Sequence, residues 1–440
     1  PDHSVWLVPM IRDPAQPRST LPRLLGCWLF LGVVAFVIAV LFYRYLLQDG
    51  DFDVYWAATF RYLHGLQVHV AESNLFTYPT FAALLLMPLY PLGYTTAKVL
   101  FFLANVVVLA GALQVCHNQL LAPGRERFVV ITLSLIFAVR SILAVFNNQQ
   151  TDILIFGLIV FGLACFPVRS FKGVGLMAVA AGLKANPLFM FLLPVLTGRW
   201  RSAAVFVTVL AGLVMMPDAF KYAVTGTFLA SEFSVPGAVL PKNGVVPLGQ
   251  FKAVPASDEV FGYLKEHYRV TLSASPSKIH WWHDRHSKYA KKNQSLYRIL
   301  ASRLDRSVPS NYVLLGLCVF FGLLLIPLTR RCRGQLFVLG MLYYTAFILI
   351  GPQSSKPHFI GFYALLVFCW QDAVLARSVT KLAALAVLSS LMGLKFSVQL
   401  LPDGALAQDS IGLAGLGIWL YSYCLLMSGR AMLGESATEP

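Results

Sequence analysis

Three carboxylates fall within five residues at Asp49-Gly50-Asp51-Phe52-Asp53, where a long apolar run over about 24–47 stops. Val54-Tyr55-Trp56-Ala57-Ala58 follows at once. A carboxylate cluster at the edge of an apolar span is either a solvated flank or a base that meets both water and a lipid-borne substrate. Four other polar groups break long apolar text: Asn147–Asp152 with Gln149, Lys184-Ala185-Asn186-Pro187, Lys291–Arg298 with Asn293 and Gln294, and Gln353–His358 with Lys356. Ionisable groups at membrane depth are costly and by default mark function. Each also has an ordinary reading: a hydrophilic turn, a lysine reaching back to the surface, or a histidine capping a helix.

The elements that must position these residues follow from composition. The chain has 440 residues, of which 57% are hydrophobic and 12% charged. Ordinary globular chains carry about 25% charged residues, so this is an all-α polytopic membrane protein. The formal net charge of +15 does not argue for a nucleic-acid partner. Lys and Arg fall largely in short connections between apolar spans, as the positive-inside rule expects. Seven cysteines are scattered singly, which indicates neither a disulfide framework nor a zinc pairing. The first apolar run lacks a small-residue cleavage site and reads as a retained anchor.

Arg12, Arg18 and Arg23 place the N-terminus in the cytoplasm, so the first helix runs outward and delivers Asp49–Asp53 to the extracytoplasmic face. Residues 54–75 read as interfacial helix. Tyr78–Leu92, broken by Pro79, Pro88, Pro91 and Gly93, reads as a juxtamembrane helix, leaving residues 94–116 to cross. A hydrophilic turn at 147–152 separates two spans. Two short arms flank Lys184 and hold it below the outer surface. The full pattern predicts about twelve crossings, with both termini inside. Its parts are an N-terminal module (1–217, first outer loop about 48–93), a long outer loop (218–310) and C-terminal helices (311–440).

In the long loop, His280-Trp281-Trp282-His283-Asp284-Arg285-His286 invites a metal reading, but no firm ligand spacing follows. The tryptophans suit an interfacial seat. The ordered set Asp51-Phe52-Asp53-Val54-Tyr55-x-Ala57-Ala58, Gly65, Phe76-Thr77-Tyr78-Pro79, Met87-Pro88-Leu89, Lys184-x-x-Pro187, Arg199-Trp200-Arg201 and Asn293-Gln294-Ser295-Leu296-x-Arg298 resembles the GT-C glycosyltransferases, and within them glycosyltransferase family 87. That family includes polyprenyl-phosphate-mannose-dependent mannosyltransferases and arabinofuranosyltransferases. Its usual Tyr-Pro-Pro is Tyr78-Pro79-Thr80 here, and Lys356 stands where an aromatic or acidic residue is expected.

The resemblance implies a GT-C fold and an aspartate base in the first outer loop, best matched by Asp51 with Asp53 as rival. It implies a donor lipid-phosphate site at Lys184, Arg298, His358 and Lys356, and substrate contacts at Tyr55, Tyr78, Gln149, Asn293 and Gln294. The expected partners are a polyprenyl-phosphate sugar and a lipid or glycan acceptor at the extracytoplasmic face of a bacterial plasma membrane. No metal ligands are assigned, although a divalent ion is compatible with the chemistry. Competing classes are a transporter or flippase, which often shows internal repeats absent here, and a lipid-linked glycan ligase or polymerase.

Overall fold

The computed structural model describes residues 35–69, 76, 78–124, 126–184, 186–221, 262–267, 294–303, 310–351, 354–393 and 404–429. They are overwhelmingly helical, and no β-strand occurs among them. The chain divides into two compact units, residues 1–47 and 48–440. In the first, the described part is the apolar helix α1 (Ala35–Leu47).

The second unit opens with α2 (Asp51–Leu63), a short α3 (Phe81–Leu84) and a 3-10 turn at Met87–Leu92. Gly93 (φ +82°) then turns the chain into α4 (Tyr94–Leu120). The proline-broken segment therefore stays short and leaves the crossing to α4, in the order the sequence predicts. Next come α5 (Glu126–Asn148), α6 (Asp152–Cys165), α7 (Ser170–Leu183), a 3-10 turn (Asn186–Phe191), α8 (Leu192–Leu196) and α9 (Trp200–Phe220). After α10 (Gly262–His267) and α11 (Leu296–Arg303), the C-terminal part holds α12 (Ser310–Arg331) and α13 (Leu336–Ile350). A 3-10 turn (Lys356–Phe362) leads into α14 (Tyr363–Leu375), followed by α15 (Val379–Gly393) and α16 (Gly404–Met427).

Among the described residues, six helical segments are long and apolar enough to cross a bilayer: Tyr94–Leu120, Glu126–Asn148, Trp200–Phe220, Tyr312–Arg331, Lys356–Leu375 and Ser410–Met427. Seven more apolar helices are shorter, including α6, α7, α13 and α15. This is the build of an integral membrane protein. At 14 residues each, α6 and α7 reach only about 21 Å, less than the roughly 30 Å of a hydrocarbon core. Neither helix is long enough by itself to cross such a core.

Helices α13 and α14 are apolar on nearly every side and form the centre, with almost all their residues buried. A helix that is apolar all round belongs inside. Outward-facing side chains such as Val107, Phe128 and Leu323 remain exposed and apolar, as a lipid-facing surface requires. Polar side chains at the centre pair across helices. Trp419 Nε1 donates to the Leu342 carbonyl at 2.9 Å, and the Thr329 and Tyr343 hydroxyls meet at 2.7 Å. His117 Nε2 and the Tyr363 hydroxyl meet at 2.5 Å.

The antiparallel hairpin of α6 and α7 matters most for the site. Near its closed end the two backbones almost touch: a Cβ on Gly162 would lie 2.8 Å from the Gly173 carbonyl oxygen, and one on Gly173 2.6 Å from that of Gly162. Small residues at such crossings let the packing of backbones do the work that hydrophobic burial does in water. The open end of the same hairpin presents Asp152 from α6 and Lys184 just beyond α7. The Gly173→Ala variant is expected to lose about 1–3 kcal/mol of stability, because backbone atoms of Gly162 and Phe166 have nowhere to yield. Thermal unfolding of the detergent-solubilised variant beside wild type measures this.

Candidate active site

Helix α2 begins inside the carboxylate cluster, and its first turn sorts the three aspartates. Asp49 lies outside the helix and is exposed. Asp53, 1% exposed, is committed to structure. Its Oδ2 accepts the Gly50 N–H at 3.1 Å, closing a box at the helix N-terminus, and its Oδ1 accepts the Tyr94 hydroxyl of α4. A carboxylate there also favours the positive end of the helix dipole. Asp51 differs. Its Oδ2 accepts the Gln150 amide at 2.7 Å and the Tyr78 hydroxyl at 3.2 Å. Its Oδ1 makes no hydrogen bond among the described residues, and the residue keeps partial exposure.

A polar network fixes this turn. Gln149 sits at φ +55° at the end of α5, and its Nε2 donates to the Gln48 carbonyl at 2.6 Å. Lys98 Nζ donates to the same carbonyl at 2.9 Å and to the Tyr94 hydroxyl at 3.1 Å. There is no room for a side chain at Gly50, where a Cβ would stand 2.9 Å from the Gln149 side chain. Gln149 thus serves the backbone that carries Asp51.

Enclosure by protein pushes the Asp51 carboxyl above the ordinary carboxylate range, partly offset by Gln150, by the charge of Lys184 and by Tyr78. Burial also raises the Asp53 carboxyl, with Tyr94 opposing. The Tyr55 and Tyr78 phenols, packed edge to face at 4.9 Å, are both raised by burial and stay neutral donors.

Beside Asp51 stands a second group. Lys184 Nζ lies 3.0 Å from each oxygen of Asp152, forming a two-pronged ion pair, and 5.4 Å from the centre of the Tyr78 ring. His358 Nε2 approaches Asp152 Oδ1 at 3.9 Å. Asp152 is 1% exposed. It is also the sole carboxylate in the sequence between Glu126 and Asp218. That isolation, at the first position of an apolar helix, is the signal by which sequence reasoning could have ranked it as a site residue and did not. Gln150, the amide on Asp51, was passed over in the same way.

Of the sequence-predicted residues, Asp51, Tyr55, Tyr78, Lys184 and His358 come together. Gln294 is buried and joined to the loop before His358 through its N–H, which donates to the Ser354 carbonyl at 2.7 Å. Arg298, in the first turn of α11, has its backbone N–H capped by Ser295 Oγ at 3.2 Å. Lys356 is exposed at the start of its 3-10 turn. Asn293 and the His280–His286 run lie outside the described residues. Among the described residues, no group of three His, Cys, Asp or Glu could hold a metal.

Buried polar atoms without a hydrogen-bond partner among the described residues also gather in these segments: Tyr55 Oη, Thr151 Oγ1, Gln150 Oε1, Gln294 Oε1 and Ser354 Oγ. A ligand rich in hydroxyls would satisfy such atoms, which are otherwise costly. Among the described residues, the arrangement brings together a carboxylate oxygen without a hydrogen bond, phenol and amide donors, and the Lys184 ammonium. Breaking the Asp152–Lys184 pair from one side should destabilise strongly. Lys184→Met is expected to cost about 3–5 kcal/mol, and the Lys184→Met/Asp152→Leu double variant clearly less. A thermal-unfolding double-mutant cycle reads the difference.

Residues 76–238 match the family model described as Glycosyltransferase family 87. The matched stretch includes Tyr78, Gln149, Asp152 and Lys184, while Asp51 precedes it. No curated protein and no solved structure matches the chain. Over that stretch, residues 76–238 of 440, the chain is similar to glycosyltransferase family 87, and its helical membrane architecture agrees with a membrane glycosyltransferase.

Proposed function

We propose that the protein transfers a sugar from a polyprenyl-phosphate donor to a lipid or glycan acceptor, with Asp51 as the base. The observation that carries this reading is Oδ1 of Asp51, without a hydrogen bond among the described residues, in a carboxylate held by Tyr78 and Gln150 on its other oxygen. The acceptor hydroxyl oxygen attacks the anomeric carbon. Its proton passes to Asp51, and the anomeric C–O bond breaks with its electron pair going to the phosphate, in one inverting displacement. The phosphate gains negative charge as it leaves, and Lys184, whose charge acts on Asp51, is the cation proposed to meet it.

Connections away from the site carry Arg127, Arg169, Lys172, Arg199, Arg201, Arg330, Arg331, Arg333, Arg377 and Lys381. Arg199 also donates to the Phe166 carbonyl at 2.7 Å, joining two of those connections at one end of the bundle. The positive-inside rule puts that end in the cytoplasm and the site on the extracytoplasmic face of a bacterial plasma membrane. Nucleotide sugars are not supplied there, which favours a lipid-borne donor. Mannose is the first sugar to test, since it is the donor sugar of the mannosyltransferases the chain resembles.

Asp51→Asn is expected to abolish transfer, by at least about a hundredfold, with normal expression. Purified protein incubated with different polyprenyl-phosphate sugars, followed by mass spectrometry of the products, supplies the measurement. Full activity in both Asp51→Asn and Asp53→Asn would sink the mechanism. A pH profile adds a second check. Asp51 must be ionised to take a proton and its carboxyl is raised, so kcat/KM should fall with decreasing pH at a value above the free-aspartate pKa of about 4. Gln150→Ala removes a donor that favours the ionised form, so this acid limb should move higher still.

A further inference from the structure

We infer that His358 serves as a neutral hydrogen-bond donor through Nε2–H, not as a cation of the donor-phosphate site. The inference rests on the proposed transfer only for the identity of the group that receives the hydrogen bond. His358 occupies the third position of the 3-10 turn Lys356–Phe362, and its ring closes the turn from below. The Ser355 backbone N–H lies 3.1 Å from Nδ1 and can only donate, so Nδ1 presents a lone pair. Ser355 Oγ, also 3.1 Å from Nδ1, takes part in the cap as acceptor of the His358 N–H and so has its O–H to donate to the same lone pair, while the Ser355 carbonyl at 3.2 Å already accepts the His358 N–H at 3.0 Å. The proton of the neutral ring is thereby assigned to Nε2.

Nε2 points toward Asp152 at 3.9 Å, too far for a direct hydrogen bond. Lys184 occupies that carboxylate instead, at 3.0 Å from both oxygens. An imidazolium would place a second buried cation on a carboxylate that is already paired. Among the described residues, Asp152 and Lys184 are the charged groups that act on His358, and α5, α6, α13 and α14, which pack on the same turn, bring no other beyond Asp152. The Nε2–H therefore remains available for a ligand oxygen beside the Lys184 ammonium. In the transfer step it donates to a phosphate oxygen and keeps its proton throughout, while the acceptor's proton resides on Asp51. The division of labour is one charge from Lys184 and one oriented dipole from His358.

Nitrogen-15 NMR of histidine-labelled protein at pH 7 tests the tautomer without any need for activity. The signals lost in the His358→Gln variant, or in His358→Asn should the first fail to fold, are expected to be those of a ring protonated at Nε2 alone. A doubly protonated ring or an Nδ1–H ring would overturn the inference. Kinetics provide the second arm, since glutamine sets its amide nitrogen near the position of Nε2 and asparagine near that of Nδ1. His358→Gln should keep kcat within about tenfold of wild type, and His358→Asn and His358→Ala should lose about a hundredfold or more. Equal loss in all three folded variants, or an alkaline loss of wild-type activity that disappears in His358→Gln, would also overturn it. Failure of the proposed function would look different: wild-type protein would transfer from no polyprenyl-phosphate sugar, while the NMR result would stand.

Discussion

The two-pronged ion pair between Asp152 and Lys184 is the interaction on which the site depends. It joins the first residue of α6 to the residue just past the end of α7, at the open end of a hairpin whose closed end is drawn together by Gly162 and Gly173. A buried carboxylate facing a buried ammonium is not a strong source of net stability, because desolvation consumes most of the attraction. Its consequence is positional. Neither charge can move without leaving the other uncompensated, so the ammonium is held beside Tyr78 and Asp51.

Around that pair the fold assigns different tasks to groups that look alike on paper. Asp53 and Asp51 are two residues apart, yet one has its oxygens spent on the start of α2 and on Tyr94 of α4, and the other keeps an oxygen without a hydrogen bond among the described residues. Gln149 and Gln150 are adjacent, yet one holds the Gln48 carbonyl and the other holds the Asp51 carboxylate. The left-handed conformation at Gln149 reverses the chain between α5 and α6 and sends the two amides to different partners. A first shell held by such a second shell can keep a reacting carboxylate in one geometry.

The short helices serve the same end. A polar site inside a membrane protein needs irregular backbone at depth, tolerated only where protein encloses it or it lines a cavity. The undersized arms α6 and α7, the 3-10 turns at Asn186–Phe191 and Lys356–Phe362, and the shortened α3 segment all end near the site. Full-length helices such as α4, α5 and α9 supply the lipid-facing wall instead.

The sequence by itself determined the membrane class, the positions of most helices, the short arms around Lys184 and the single face on which Asp51, Lys184 and His358 were expected. Apolar periodicity, proline breaks and basic connections are local or additive signals, so they survive without a structure. It also singled out Asp51 over Asp53, but through a family likeness and not through a physical difference between the two. Only the tertiary structure decided what each polar group touches: that Asp53 belongs to the helix start, that Asp152 is the partner of Lys184, and that His358 is capped through Nδ1. Those outcomes depend on contacts between residues as far apart in sequence as Asp51 and Gln150, or Asp152 and His358. Side-chain partners at such separations are set by how helices cross, and the local text of a helix says nothing about what will stand opposite it.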